Sequence, residues 1–360
     1  MKQSKRLGIF LIALLWISVS VLCWIRPPQE FSYSERRRLA QFPAFNRQFS
    51  TEFEDYANDQ FPFRDGFRGL KSRFQRQILQ VKDDHGIYFQ DGYAAQLQYP
   101  LQESSVNHAC NKFSQLYLRY LQNAGCRIFL AIVTDKHYFL ADSGGYPSLD
   151  YDRLVQLVRA ETPWASYVDL FPSLSVSDYY HSDTHWRQEQ LTDTADVLCR
   201  ALQIPLASQQ NYTLQQWPQP FYGVYRGQAA LDLPAETICT LHTALLDRCQ
   251  VYHYDSGQFT QIYDAQKVSS RDLYDIYLSG AAPLLRIEDP KSDTQRELIV
   301  FRDSFGSSLI PLLMQGYRAV TLVDTRYIDP GLLGQFLRFE GKDVLFLYST
   351  ILLNQSSALK

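Results

Sequence analysis

The chain has 360 residues and a formal net charge of −3; 46% of its residues are hydrophobic and 20% are charged. This length and apolar content predict one large globular domain, alone or with a smaller appendage. The balanced charge excludes the basic footprint of a nucleic-acid-binding protein, so no nucleic-acid partner is expected. The 24 Tyr, 22 Phe and 5 Trp residues fit core packing better than a sugar-binding platform, although composition alone cannot locate such a platform.

The N-terminus carries an uncharged, apolar run from Leu7 to Ile25, which follows three basic residues and ends at Arg26. A helix of this length rises about 28 Å, enough to cross the hydrocarbon core of a bilayer. Positive charge ahead of the run predicts an N-terminus on the inside and residues 27–360 on the far side. We therefore expect a single-pass protein of the cell membrane whose bulk is extracytoplasmic.

Two other fates of this segment compete with an uncleaved anchor. A cleaved signal peptide needs small residues before the cut, and Ser18 with Ser20 is a poor match. A lipoprotein needs a small residue before its cysteine, and Leu22 precedes Cys23. The sequence favours a signal anchor over residues 1–26.

The other five cysteines are scattered, and no C-x-x-C or Cys/His spacing predicts a zinc site. Neither a metal ion nor an organic cofactor is expected. Cys239 and Cys249 are close enough in sequence to form a disulfide in an oxidising compartment, but buried thiols fit equally well. Their pairing is left open.

Residues 27–103 predict a stalk, a broken helix and a hairpin. The stretch 26–50 is rich in Pro, Arg and Ser, and a helical pattern over about 51–81 is interrupted near Pro62. The pair Asp91-Gly92 is typical of a hairpin turn.

Residues 104–360 predict an α/β domain. The apolar run Arg127–Val133 is typical of a strand buried on both faces of a parallel sheet, and helical patterns flank it. Strands and helices alternate again in the C-terminal part of the chain, where the strands are "ELIVF", "AVTLV" and "DVLFLY". We expect a parallel sheet with helices on both faces, with a less regular insertion near 206–295 that decorates it.

Ser304 lies between the strand "ELIVF" and the helix that follows. In open α/β sheets reacting groups gather at the carboxyl ends of strands, and the amides at a helix start can hold an oxyanion. Taken alone, a serine at this joint is more often a helix N-cap. No G-x-S-x-G motif is present, so an ordinary α/β-hydrolase is not supported.

Asp183 and His185 follow the strand "ASYVDLF". In an extended segment residues i and i+2 point to the same side, so the carboxylate can hold one imidazole nitrogen while the other takes a proton from Ser304. The neighbouring Trp186 would then give a rigid wall or a sugar contact. A lone Asp-x-His is weak by itself and also fits a helix cap.

Together these segments resemble the bacterial DHHW protein family and, more distantly, the SGNH-like proteins of alginate O-acetylation. The resemblance covers most of the chain, and Thr184 stands where DHHW members have their first His. The blocks that carry it, in order, are "ERRRLAQFPAF", "YANDQFPFRDGFRGLK", "GIYFQDGY", "VTDKHYFLAD", "SDTHW", "FYGVYRG", "FRDSFGSSLIPLL", "VTLVDTRYI" and "DVLFLY".

This resemblance implies an SGNH-hydrolase-like fold in which Ser304, His185 and Asp183 form a catalytic triad. It implies an acyl esterase or O-acetyltransferase that acts on a surface or exported polysaccharide, alongside a membrane-bound O-acyltransferase. The N–H groups of Ser304 and Gly306 are the expected oxyanion donors.

Two basic side chains are candidates for orienting an anionic substrate. They are Lys136, after the first core strand, and Arg326 in "VTLVDTRYI". A structural ion pair is the commoner role for each, and Asp324 is the natural partner of Arg326.

A catalytically inactive glycan-binding or scaffold protein is the alternative. Ala281 and Ala282 follow Gly280 where the resembled block often carries Asn, and Gln190-Leu191 replace an expected Gly-Ala. A lost oxyanion donor costs roughly a hundred- to a thousandfold in rate. A third possibility is a structural partner that anchors a membrane acyltransferase through Leu7–Ile25.

Overall fold

A computed structural model describes residues 2–32 and 34–360. The α-helices in chain order are α1 (Lys2–Ile25), α2 (Phe49–Asp59), α3 (Arg64–Gln77), α4 (Glu103–Leu116), α5 (Lys136–Gly144), α6 (Tyr151–Glu161), α7 (Thr192–Leu202), α8 (Val224–Gln228), α9 (Ala244–Arg248), α10 (Gly306–Leu309), α11 (Leu333–Phe336) and α12 (Thr350–Asn354). The strands are β1 (Phe31–Ser32), β2 (Arg37–Arg38), β3 (Asp83–Asp84), β4 (Ile87–Gln90), β5 (Tyr93–Gln96), β6 (Arg127–Val133), β7 (Ser166–Val168), β8 (Thr213–Phe221), β9 (Glu236–His242), β10 (Gln250–His253), β11 (Phe259–Thr260), β12 (Leu284–Glu288), β13 (Glu297–Arg302), β14 (Ala319–Val323) and β15 (Asp343–Ser349).

The chain forms two compact units. The first contains the described residues up to His85 together with Val224–Leu233. The second contains Gly86–Gly223 and Pro234–Lys360. The domain boundaries expected after residues 26 and 103 stay predictions.

An eight-stranded sheet is the centre of the second unit, in the order β11-β10-β12-β14-β13-β15-β6-β7. The five strands from β14 to β7 are parallel to one another. Along β13, Leu298 and Val300 face one apolar cluster, whereas Ile299 and Phe301 face the other. Helix α7 packs in the first cluster, and α4 and α6 pack in the second. The expected α/β fold with helices on both faces is confirmed.

The region near 206–295 differs from the expectation that it decorates the sheet. Strands β10, β11 and β12 extend the sheet itself, and β12 runs antiparallel to β14 with Leu284 opposite Val323. Only β8 and β9 form a separate antiparallel ribbon. Short strands joined by long irregular connections carry little periodicity, so the pattern did not reveal this pairing.

Four of the parallel strands end in the same local turn. An aspartate one or two residues past the strand accepts a hydrogen bond from the backbone N–H two residues further along, which is an Asx-turn. The four aspartates are Asp135 after β6 (2.8 Å), Asp169 after β7 (3.1 Å), Asp303 after β13 (3.1 Å) and Asp324 after β14 (3.1 Å). After β15, Ser349 caps α12 through the N–H of Leu352 at 3.2 Å.

Two of these aspartates also hold the turn after β15, which lies between β13 and β6 in the sheet. The second carboxylate oxygen of Asp303 accepts from the N–H of Ser349 at 2.8 Å. The second oxygen of Asp135 accepts from the hydroxyl of Thr350 at 2.6 Å. The carboxyl edge of the sheet is therefore fixed by bonds within each turn and between neighbouring turns.

Helix α1 is the one helix of the described residues that is long and apolar enough to cross a membrane. Its window Arg6–Cys23 has no buried residue. The cysteines, Cys239 and Cys249 included, are free thiols in this structure.

Candidate active site

Ser304 lies in the turn between β13 and α10. The N–H of Phe305 donates to Asp303, and the ring of Phe305 packs edge-on against Trp186 with the centroids 5.2 Å apart. Ser304 is the one residue of 301–310 that is not fully buried. A reactant can therefore reach its hydroxyl while the rest of the turn stays packed.

Asp183 and His185 lie in a tight loop between two paired residues. Tyr179 and Trp186 form an antiparallel bridge, and the N–H of Tyr180 donates to the carbonyl of His185 at 3.1 Å. One oxygen of Asp183 accepts from the backbone N–H of His185 at 3.1 Å and lies 2.7 Å from Nδ1 of the same ring. The spacing of two residues thus fixes the carboxylate–imidazole contact locally.

The loop and the turn meet at one hydrogen bond. Nε2 of His185 lies 2.8 Å from Oγ of Ser304, although the residues are 119 positions apart. Because a carboxylate can only accept, Nδ1 of the neutral ring carries the proton and donates to Asp183. Nε2 is then the acceptor, so the Ser304 hydroxyl donates to it. The Ser304 hydroxyl, the His185 imidazole and the Asp183 carboxylate therefore form one continuous hydrogen-bonded series.

His242 also contacts a carboxylate and shows what a structural pair looks like. Nδ1 of His242 lies 2.6 Å from Asp247, and its Nε2 lies 3.0 Å from the hydroxyl of Thr240. Thr240 is fully buried within β9 and also accepts from Trp217 at 3.1 Å. Its hydroxyl is already engaged and closed to solvent, unlike that of Ser304.

Tyr274 is a site residue that sequence reasoning missed. Its ring stacks on the His185 imidazole, with centroids 4.0 Å apart and planes within 10°. Its hydroxyl lies 2.8 Å from that of Ser308, and burial raises the pKa of the phenol. Tyr274 therefore stays neutral and fixes the plane of the imidazole. It comes from the irregular region near 206–295, where no pattern pointed to it.

Trp186 is fully buried beneath the site. Its indole N–H donates to the hydroxyl of Ser308 at 2.9 Å and lies 3.1 Å from the carbonyl of Phe305. The neighbouring Gln188 donates to the carbonyl of Ser308 at 2.7 Å and accepts from the N–H of Leu241 at 2.9 Å. These bonds join the His185 loop to the start of α10, so Trp186 supports the site from below.

Lys136 lies behind the Asp183 loop and is 2% exposed. Its ammonium donates to the carbonyls of Tyr180 at 2.8 Å and His181 at 3.2 Å. Burial lowers the pKa of Lys136 to about 7, and the nearby charges of Asp183 and Glu236 only partly offset this. At this depth Lys136 braces the backbone just before Asp183.

Arg302, Asp324 and Arg326 form a second charged cluster next to the turn that carries Ser304. Arg326 makes two hydrogen bonds to Asp324, at 2.9 Å and 2.6 Å, and its side chain is 21% exposed. Arg302 is fully buried and donates to the carbonyl of Asp303 and the hydroxyl of Ser307, each at 3.2 Å. Burial lowers the pKa of Arg302, while the charge of Asp324 opposes that shift.

Two glycines make the close approaches that this site needs. A Cβ on Gly223 would lie 2.1 Å from the carbonyl carbon of Ser182, directly before Asp183. A Cβ on Gly306 would lie 3.1 Å from that of Arg302. The N–H of Gly306 donates to the carbonyl of Asp303 at 3.2 Å, so in this structure it closes the nucleophile turn.

No cluster of three His, Cys, Asp or Glu side chains among residues 2–32 and 34–360 is arranged to hold a metal ion.

No protein-family model matches the chain, and no curated protein matches its sequence. Solved structures do match. A DHHW family protein from Eubacterium siraeum superposes with a TM-score of 0.61 at 17% identity, over 77% of this chain and 94% of that chain. The fold is that of a DHHW family protein.

Two further solved structures match the chain. Bacillus cereus PatB1, solved with a sulfonyl adduct, matches with a TM-score of 0.58 at 15% identity, over 74% of this chain and 95% of that one. The O-acetyltransferase domain of Pseudomonas putida AlgJ matches with a TM-score of 0.46 at 12% identity, over 75% and 92%. The matches to the DHHW family protein and to PatB1 show the fold, and the chemistry has to be argued from the site.

Proposed function

We propose that this chain is a membrane-anchored, extracytoplasmic acyl esterase or O-acetyltransferase that acts on a surface or exported glycan. The observation that carries the proposal is the 2.8 Å contact between His185 and Ser304, continued by the 2.7 Å contact between His185 and Asp183. A scaffold has no use for a partly exposed serine hydroxyl aligned with an oriented imidazole.

In the first half of the reaction, Ser304 attacks the carbonyl carbon of an acyl ester. Its hydroxyl proton passes to Nε2 of His185, and Asp183 stabilises the imidazolium through Nδ1. The tetrahedral intermediate then expels the alkoxide, which takes the proton from His185 and leaves as an alcohol. The acyl group remains on Oγ of Ser304.

In the second half, a hydroxyl group attacks the acyl-enzyme. His185 removes its proton and returns a proton to Oγ of Ser304 as the acyl–serine bond breaks. With water the product is a carboxylic acid, and with a sugar hydroxyl it is a new ester. The acceptor therefore decides between hydrolase and transferase.

The oxyanion of both intermediates needs N–H donors at the start of α10. The N–H of Ser304 is the first candidate. The N–H of Gly306 is the second, provided that it exchanges the carbonyl of Asp303 for the oxyanion. Arg326, whose guanidinium is partly exposed, is the candidate for orienting an anionic group, while Lys136 and Trp186 are assigned supporting roles.

The glycan acceptor rests on the sequence resemblance to alginate O-acetylation proteins, and a membrane-bound O-acyltransferase is the proposed partner for the same reason. The extracytoplasmic location rests on the apolar run Leu7–Ile25 and the basic residues before it. A C-terminal alkaline phosphatase fusion is expected to be active and the corresponding fluorescent-protein fusion dark; the opposite pattern would reject the orientation.

Ester hydrolysis tests the catalytic proposal. Full-length protein in detergent is assayed with p-nitrophenyl acetate beside Ser304→Ala and His185→Ala. Each variant is expected to lose on the order of a thousandfold or more in kcat, because nucleophile and base act as a unit. Ser256→Ala, in an exposed loop, and His242→Ala, which also contacts a carboxylate, are matched controls that should keep full activity.

Covalent labelling gives an independent readout. A sulfonyl fluoride is expected to modify Ser304 and no other serine, because only an activated hydroxyl reacts readily. Mass spectrometry of the labelled peptide checks the position, and His185→Ala should abolish labelling. If hydrolysis and labelling are unchanged by these substitutions, the catalytic proposal fails.

The specific observation that favours an inactive scaffold is the pair Ala281-Ala282 where related blocks often carry Asn. An assay of acetyl transfer to neutral and uronic-acid oligosaccharides, with mass spectrometry as the readout, distinguishes an active enzyme from an inactive scaffold. Binding of an oligosaccharide without any acetylation or ester hydrolysis would favour the scaffold.

A further inference from the structure

Helix α3 carries a row of large apolar side chains on one face. The row, called the α3 stripe below, starts at the residue before the helix, ends at the residue after it and recurs every three or four positions, the spacing of one helical face. Its members are Phe63, Phe67, Leu70, Phe74 and Ile78. Each is between 52% and 66% exposed.

The opposite face of α3 holds the helix within the first unit. Arg64 lies 2.6 Å and Arg68 lies 3.1 Å from the carboxylate of Glu35. Arg73 pairs with Asp232. Ser72 is the one buried residue of the helix.

A helix of a water-soluble domain buries its apolar face, whereas the apolar face of α3 is exposed. Beside it, Arg64 and Arg68 reach inward to Glu35. Exposed apolar rows of this size mark surfaces that contact a membrane or a partner.

The chain connects the start of α3 closely to the end of α1. The N–H of Gln29 donates to the side chain of Gln60, whose amide nitrogen donates back to the carbonyl of Gln29, both at 2.8 Å. Gln60 caps α2, just before α3. Gln29 is four residues past Ile25, and four residues span at most about 14 Å.

This tether limits the height of α3 above the membrane. The headgroup layer on each side of the hydrocarbon core is about 5–8 Å thick. If α1 spans the bilayer, the junction of α2 and α3 lies in the headgroup layer or just outside it. Phe61 and Phe63, on either side of Pro62, are exposed at this junction.

We propose that the α3 stripe lies in the outer interface of the same bilayer that α1 crosses. The inference rests on the anchor proposed above. Interfacial helices bury their apolar face about 5–10 Å into the boundary between headgroups and acyl chains, which the tether allows. Lys71, exposed beside the stripe, is placed to reach lipid phosphates. Lipid is the occupant because the stripe begins within reach of the membrane helix.

Fluorescence quenching by brominated lipids tests the position of the stripe. Full-length protein is reconstituted into phosphatidylcholine–phosphatidylglycerol liposomes and floated to verify that it is inserted. Trp16→Phe and Trp24→Phe remove the tryptophans of the membrane helix and give the parent. Phe67→Trp or Phe74→Trp is then added, and emission is compared with and without lipids brominated near the headgroup.

Tryptophan at either position is expected to lose about half of its emission or more, because its ring lies at the depth of the bromine atoms. Asp65→Trp is the matched control, since position 65 points away from the stripe and its native side chain is 66% exposed. Its emission should be quenched no more than that of the parent.

Other outcomes overturn the inference in distinguishable ways. Unquenched, red-shifted emission at both positions means that the stripe faces water. Unquenched but blue-shifted emission means that protein covers it, either a second copy or a membrane partner. Failure of the protein to float overturns the anchor itself and, with it, this inference.

Discussion

The edge of the sheet around Ser304 and the surface of α3 differ in which side chains they bury. At the sheet edge charged side chains are buried and held by specific bonds: Asp183 by His185, Asp303 by two backbone N–H groups. On α3, Arg64 and Arg68 reach inward to Glu35, while the apolar side chains of the α3 stripe are exposed. The sheet edge satisfies its polar groups within the protein, whereas the apolar surface of α3 needs another surface to cover it.

The comparison teaches that burial has to be interpreted together with what surrounds a surface. Buried charges are costly unless they are paired, and the buried Asp183 carboxylate beside Ser304 is paired with the His185 ring. Exposed apolar side chains also cost free energy in water, and the α3 stripe has five of them. Buried, paired charges are typical of functional sites, and exposed apolar rows are typical of surfaces that contact a membrane or a partner.

Removing the charge of Asp183 should be the most damaging change to the sheet edge. Asp183→Asn is expected to lower kcat on the order of a hundred- to ten thousandfold, because an amide no longer favours the Nδ1–H tautomer of His185. The variant keeps an oxygen for the backbone turn, so circular dichroism should match the wild type. Retention of full ester hydrolysis would remove Asp183 from the mechanism.

Gly223→Ala should damage the same loop through sterics. The added Cβ would collide with the backbone of Ser182, so Asp183 has to shift. Displacements of about 1 Å at a reacting group cost roughly a hundredfold in rate. The measurement is kcat for p-nitrophenyl acetate. Gly66→Ala, where a Cβ meets nothing within 4 Å, is the control and should leave kcat unchanged.

Lys136→Met should change how stability depends on pH. Burial lowers the pKa of Lys136 from 10.5 to about 7, so the unfolded chain holds a proton that the folded chain releases between these values. The wild-type free energy of unfolding should therefore rise with pH above 7, by at most about 1.4 kcal/mol per unit. The variant should lack this rise.

Urea unfolding at pH 7, 8 and 9 measures the difference. The two proteins should diverge steadily across this range, with the wild type gaining relative to Lys136→Met. Parallel curves would mean that Lys136 keeps its ordinary ionisation and that its contacts with Tyr180 and His181 suffice to offset burial.

Phe67→Ser should have the smallest effect on chemistry. The side chain is exposed, so kcat in detergent should stay within about twofold of wild type, as for most surface substitutions. Loss of ester hydrolysis in detergent would show that the stripe matters to the active site as well as to the proposed lipid contact.

Much of the fold could be predicted because its strands carry their own pattern. Arg127–Val133 and Ala319–Val323 have the bounds that their apolar runs suggest. The resemblance to the DHHW family is confirmed by the structural match. The antiparallel strands β10 to β12 were missed because strands of two to five residues are too short to show a period.

The site was predictable in proportion to how local its contacts are. Asp183 and His185 are two residues apart and form a turn, so their spacing sufficed. The contact of His185 with Ser304 joins distant segments. It was expected because each follows a strand in the sequence pattern and because the resemblance implies a triad. The stack of Tyr274 on His185 depends on an irregular segment, and no spacing in the sequence encodes it.

The turn after β15 offers a way to adjust the walls of this site one bond at a time. Ser349 and Thr350 have no role in the proposed acyl transfer. Ser349 nevertheless donates a hydrogen bond to Asp303, and Thr350 donates one to Asp135. Replacing Thr350 with valine would release only the side that leads to Lys136 and leave the Ser304 side tied. Rigidity on the Asp135 side of the Ser304 turn can therefore be changed separately, through a residue that has no role in the proposed acyl transfer.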